Sequence, residues 1–134
     1  MNTTFTGLLL NLQKQYNKVN ELQDVTKQMA ECLQRNDLYS FRLLMKMRTD
    51  VMLELDDIDF AREDLLHSLP ENEQKIARGV MAKEVEENVL ISSDLQRVHD
   101  IYKKIKRNLQ TTIQLDKAIN LKIGGNNSFY KNNR

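Results

Sequence analysis

The sequence has very few of the residues that interrupt helices or cross-link a chain. Its 134 residues include one proline, four glycines, no tryptophan and one cysteine. So little proline and glycine excludes a collagen-like or loop-rich chain and favours long helices. The single cysteine, Cys32, excludes an internal disulfide. Its place on an apolar helical stripe predicts that it fills the core as a small hydrophobic side chain.

An excess of charge of one sign and long apolar runs are also lacking. The formal net charge is only +1, so no strong field draws the chain to nucleic acid or to an anionic membrane. The first residues lack the basic and apolar regions of a signal peptide, and no run approaches the ~18 apolar residues of a membrane span. We therefore expect a soluble cytoplasmic protein that does not bind nucleic acid and does not insert into membranes.

Signatures of catalysis and of cofactor binding are equally scarce. The sequence contains no glycine-rich phosphate loop, no nucleophile elbow and no Glu-x-x-His pair of the kind that holds two metals in a helical bundle. His67, three residues after Asp64, and His99 are isolated and are more typical of surface histidines than of metal ligands. The sequence predicts no enzymatic activity, no cofactor and no metal site.

Apolar residues at helical spacing dominate what is present. One stripe covers residues 4–32 and a second covers residues 38–69, with steps of mostly three and four. Between them, Asn36 and Asp37 are typical of a helix stop followed by a new N-cap. Because this connection is so short, the first two helices should lie antiparallel.

A third stripe begins near the single proline. Ser68 stands three residues before Glu71, which predicts a capping box, and Pro70 is tolerated only in a first helical turn. A polar stretch at residues 86–94 either breaks this segment into two helices or bends it. The apolar residues of positions 91–112 then alternate steps of four and three, a seam that packs against other helices.

These patterns predict an all-α protein. We expect an antiparallel bundle of three long helices, or of four if the third stripe breaks, within residues 1–123. Residues 124–134 have the composition of a flexible tail. The methionines could fill an irregular core or could form an adaptable apolar surface, and the sequence leaves both interpretations open. Met45, Met47, Met52 and Met81, which belong to a group of six methionines, raise this question.

Several motifs resemble those of one known family. Residues 31–38 read Glu-Cys-Leu-Gln-Arg-Asn-Asp-Leu, and they are followed by Leu43-Leu44-x-Lys46 and by Leu55-x-x-Ile58-x-x-Ala61-Arg62-x-x-Leu65-Leu66. These residues describe a long helix that ends at a short polar break and a second helix with an arginine before a leucine pair. Both features resemble those of the FlgN-like flagellar export chaperones. Ile101-x-x-x-Ile105-x-x-Asn108-Leu109 and Tyr130 are similar to that family's last helix and tail, although Lys131, Asn132 and Asn133 replace its acidic residue and glycine.

The resemblance implies a cytoplasmic chaperone of the flagellar type III secretion system. Such a protein binds hook-associated (hook-filament junction) proteins before export and delivers them to the export gate, where Tyr130 is a candidate docking residue. The client-binding surface would lie on the last helix, at Leu95, Val98, Tyr102, Ile105, Leu109 and Ile113. The alternative is a structural coiled-coil adaptor that self-associates as a homodimer through the heptad of residues 91–112.

Overall fold

The described part of the chain folds into four helices. The computed structural model describes residues 5–82 and 92–125. Its helices are α1 (Thr6–Gln34), α2 (Leu38–His67), α3 (Glu71–Val80) and α4 (Ser93–Gly125). The predicted all-α bundle is confirmed, and the third stripe is divided into α3 and α4. Within the described ranges, no helix combines the length and the apolar character needed to cross a bilayer.

The turn between α1 and α2 has the predicted stop and cap. Asn36 adopts the left-handed conformation, with φ of 55°. The Asn36 amide donates to the carbonyl of Leu33 at 3.2 Å and the Asp37 amide donates to that of Cys32 at 2.8 Å, as in a Schellman motif. The Asp37 carboxylate then accepts from the Ser40 amide at 3.1 Å, and this bond lowers the pKa of Asp37. Its stabilising effect is therefore present above the ordinary aspartate pKa and is lost on acidification.

The left-handed residue gives a first prediction. Asn36→Val should lower the free energy of unfolding by roughly 1–2 kcal/mol, because a β-branched side chain clashes with its backbone in this conformation. Asn36→Gly is the matched control, and its stability should equal or slightly exceed that of the parent. Urea denaturation monitored by circular dichroism measures both. Equal stability of the two variants would contradict the expectation.

The start of α3 differs from the predicted capping box. Ser68 ends α2, and its hydroxyl donates to the carbonyl of Leu65 at 2.6 Å. Pro70 is the N-cap of α3, and no side chain caps that helix. The prediction was wrong because the Ser68 hydroxyl is already used by the preceding helix. Glu71, in the first turn of α3, places a favourable negative charge there.

Helix α1 is the centre of the bundle. Helix α2 runs antiparallel to it, as predicted, since Asn11 donates to the carbonyl of Ile58 at 3.0 Å whereas Lys18, further along α1, pairs with the earlier residue Glu54. Helix α4 runs parallel to α1, since its early residue Leu95 packs in the cluster of Leu8 and its late residue Ile119 packs in the cluster of Met29. Between them, Asn108 donates to the Asn20 side chain at 2.6 Å. One core cluster surrounds the first half of α1, including Leu8, Leu12, Val19, Leu66, Ala77, Val80, Leu95, Val98 and Ile105. A second surrounds its last turns: Val25, Met29, Cys32, Leu33, Phe41, Leu44, Ile119 and Ile123.

Two smaller observations concern the core and the end of α4. Cys32 is buried in the second cluster, which confirms it as core filler. Helix α4 continues to Gly125, so that regular structure extends two residues past the predicted boundary at residue 123. The two glycines at its end tolerate helical dihedrals, and helix ends vary by a residue or two.

Candidate partner-binding groove

Helices α2 and α4 lie on either side of α1 and are bridged by α3 at only one end of the bundle. Helix α3 is 10 residues long, whereas the other helices have 29 to 33. It is tied to α2 by Arg78, which pairs with Glu63 at 2.9 Å, and it ends where the Val80 carbonyl lies 3.1 Å from His99 Nδ1. Arg78 holds the pKa of Glu63 below its usual value. Further along α1, α2 and α4 flank a depression that α3 does not reach.

This depression, which we call the α2–α4 groove, has a volume of about 390 Å³. Leu22 and Thr26 of α1 line it, as do Leu109 and Thr112 of α4. The two threonine hydroxyls donate within their own helices, Thr26 to the carbonyl of Leu22 at 2.7 Å and Thr112 to that of Asn108 at 2.8 Å. Their polar groups are therefore satisfied, and the base of the groove offers mainly hydrocarbon to a ligand.

Two exposed apolar side chains form opposite walls of the groove. Met52 projects from α2 and Ile113 from α4, and each is 46% exposed. Exposed apolar side chains that face each other across a depression form a surface suited to another apolar group. The sequence left open whether the methionines fill the core or form an adaptable apolar surface, and Met52 fits the second interpretation. Met45 and Met81 instead pack against the core clusters.

An ion pair spans the groove. Arg48 of α2 and Asp116 of α4 are in contact through their side chains, and both groups are partly buried. Lys117 adds a further exposed positive charge beside them. A partner lying in the groove would therefore meet an apolar base with charges of both signs at the rim.

The six residues predicted to bind a client are divided by the structure. Leu95, Val98 and Ile105 belong to the first core cluster and are buried, so the predicted open surface is corrected at these positions. Tyr102 and Leu109 are half-buried against the same cluster, and Ile113 alone of the six is exposed. The physical reason is that α4 uses this stripe to pack on α1. The ε-ammonium of Lys106 lies 5.3 Å from the centre of the Tyr102 ring. The predicted docking residue, Tyr130, lies outside the described residues.

Side chains that could act in catalysis or bind a metal lie apart from one another in the described ranges. No group of three or more histidine, cysteine, aspartate or glutamate side chains is arranged to hold a metal there. His67 is exposed near Glu63, at 3.9 Å, and His99 contacts the backbone of α3. The absence of catalysis and of cofactors stays a prediction.

Sequence reasoning missed the pair that spans the groove, although a signal was present. Arg48 occupies a position in the apolar stripe of α2, and Asp116 continues the spacing of the seam that includes Leu109 and Thr112. A charged residue on an apolar stripe needs a partner of opposite sign or access to water. Here the two charges meet each other.

Comparison of the chain with protein-family models, with curated proteins and with solved structures gives no match.

Proposed function

We propose that this protein binds an amphipathic helix of another protein and acts as an export chaperone of the flagellar type III secretion system. The α2–α4 groove is the observation that supports binding. Its apolar base lies between two exposed apolar side chains, Met52 and Ile113, which is the arrangement that suits another apolar group. An apolar base between two helices suits a third helix that inserts side chains spaced three and four residues apart.

The contacts of the groove suggest how a client helix would lie. Apolar client residues would pack on Leu22 and Leu109 between Met52 and Ile113. Arg48 and Asp116 are already paired across the groove, so charged client residues would engage them only by replacing that contact, and such pairs fix orientation more than they add affinity. The proposed client surface thus keeps Leu109 and Ile113 from the sequence prediction and adds residues of α1 and α2.

The flagellar assignment depends on the resemblance described for residues 31–66 and for the last helix. It supplies the client class, hook-associated proteins, together with the cytoplasmic location and delivery to the export gate. Folding of a client helix into the groove would also keep its apolar face from self-association. The adaptor alternative is weakened, because Leu95, Val98 and Ile105 of its heptad are occupied within the chain.

Charge placed on the groove walls tests the binding site. Met52→Glu and Ile113→Glu should each weaken binding of a hook-associated protein by at least about tenfold, because a charge on an apolar contact must be desolvated. Leu121→Glu is the matched control, since Leu121 is an exposed apolar residue of α4 outside the groove lining. Isothermal titration calorimetry measures affinity, and circular dichroism verifies retained helicity.

Two results would overturn the proposal. Co-expression with each hook-associated protein of the source organism should give a soluble one-to-one complex with at least one of them, and failure with all would remove the flagellar assignment. A complex that forms but tolerates both groove substitutions as well as Leu121→Glu would place the client on another surface.

A further inference from the structure

A second apolar surface lies on the side of α2 that faces away from the bundle. Leu53 and Phe60 are 58% and 72% exposed. They are seven residues apart and so lie on the same side of the helix, roughly 10 Å from each other along its axis. We call them the outer ridge of α2. Met52, in the groove, precedes Leu53 by one position and therefore points about 100° away from it.

Charges are segregated along this ridge. Arg42 and Lys46 lie on the same side of α2 before the ridge, whereas Asp57 and Asp64 flank and follow it. All four side chains are exposed. None of them forms an ion pair with another residue in the described ranges. The outward side of α2 therefore has a positive first half, a negative second half and an apolar centre.

We propose that two copies of the chain pair through this outer ridge, with their α2 helices antiparallel. A twofold axis near Leu53 brings the two Leu53 side chains together. It also places Lys46 of each copy beside Phe60, Asp57 and Asp64 of the other. A parallel pair would instead set positive halves against each other and negative halves against each other. The charge pattern thus selects a self-complementary, twofold arrangement.

The remaining acidic residues of this surface are compatible with the pairing. Asp50 and Asp56 lie roughly 60° to either side of the ridge, at the edges of the interface, where water solvates them. A single pair of helices buries less area than the roughly 1,600 Å² of a typical stable interface. The dimer should therefore be reversible and should dissociate on dilution.

The outer ridge and the groove occupy different sides of α2, so the dimer does not depend on the proposed function. Sedimentation velocity over a wide concentration range should show a monomer–dimer equilibrium. Leu53→Ser and Phe60→Ser leave the charge unchanged and should each raise the dimer dissociation constant at least tenfold. Leu121→Ser, at an exposed apolar position of α4, should leave it unchanged.

Charge reversal tests the antiparallel orientation. The variant R42E/K46E makes both halves of the surface acidic and D57K/D64K makes both basic, so each alone should remain monomeric. Mixed together they should form a heterodimer, because each acidic half then meets a basic half. Loss of client binding on Phe60→Ser would identify the ridge as a client site and overturn the dimer. A parent protein that stays monomeric at its solubility limit, or a mixture that does not associate, would overturn it as well.

Discussion

Ile105→Glu should unfold the protein. Ile105 is 1% exposed and belongs to the core cluster with Leu12 and Val98. Removal of such a side chain to alanine costs about 2–5 kcal/mol, and a glutamate adds the cost of burying an unpaired charge. These losses approach the total stability of a typical domain, about 5–15 kcal/mol. Far-ultraviolet circular dichroism and thermal denaturation should show a large loss of helicity and of cooperativity.

Ile113→Glu is the matched control on the same helix. Ile113 is 46% exposed, so a glutamate there remains solvated and the fold should be retained. A folded Ile105→Glu protein with an unchanged denaturation midpoint would contradict the burial of this stripe. It would also restore the sequence-based surface at Leu95, Val98 and Ile105 as a candidate for client binding.

The first two helices and the turn between them could be predicted from the sequence, because both depend on residues that are close together in the chain. The apolar spacing of residues 4–32 and 38–69 indicates two amphipathic helices whatever covers them. Asn36 and Asp37 specify a stop and a start through their own backbone and side-chain hydrogen bonds. Because the chain has little glycine and proline, few structures other than two long helices joined by a short turn are open to these residues.

The surface of α4 could not be assigned from the same pattern. A heptad shows that a stripe is apolar, but it does not reveal whether the chain itself or a partner covers that stripe. Here α1 covers most of it, and only the positions beyond the reach of α3 remain accessible. Which positions those are depends on the length and placement of α3, and these are tertiary properties. Ser68 shows the same limit on a smaller scale, since one hydroxyl could serve either of two helix ends.

The groove illustrates how residues that look unrelated in sequence become neighbours. Arg48 and Asp116 are 68 positions apart and each is an exception within its own stripe. If these two oppositely charged residues had been assumed to pair, the sequence would have suggested that α2 and α4 approach each other near Arg48 and Asp116. It would not have shown that the surrounding Met52 and Ile113 stay exposed, because exposure depends on the spacing of the helices.

Arg62 gives the second large expected effect, at the interface of α1 and α2. Its side chain is 15% exposed and lies over two buried polar residues of α1, Asn11 and Gln15. The guanidinium donates to Gln15 Oε1 at 2.5 Å and to Asn11 Oδ1 at 3.3 Å, and it pairs with Asp59. Gln15 in turn donates to the Asp59 carboxylate at 3.2 Å. This arginine is part of the motif that carries the family resemblance, and it joins α2 to α1.

Arg62→Ala should lower the free energy of unfolding by about 1–3 kcal/mol, because it leaves the side-chain oxygens of Asn11 and Gln15 buried with fewer donors. Arg62→Lys should recover only part of the loss, since an ammonium cannot reproduce the fork of the guanidinium. The variant N11L/Q15L/R62M removes the buried donors and acceptors together and leaves only the Asp59 carboxylate, which is 53% exposed and can be solvated. It should therefore be closer to the parent in stability than Arg62→Ala. Urea denaturation of the four proteins measures the order. If Arg62→Ala were as stable as the parent, water would be satisfying Asn11 and Gln15, and the arginine would be free to serve a partner instead of the fold.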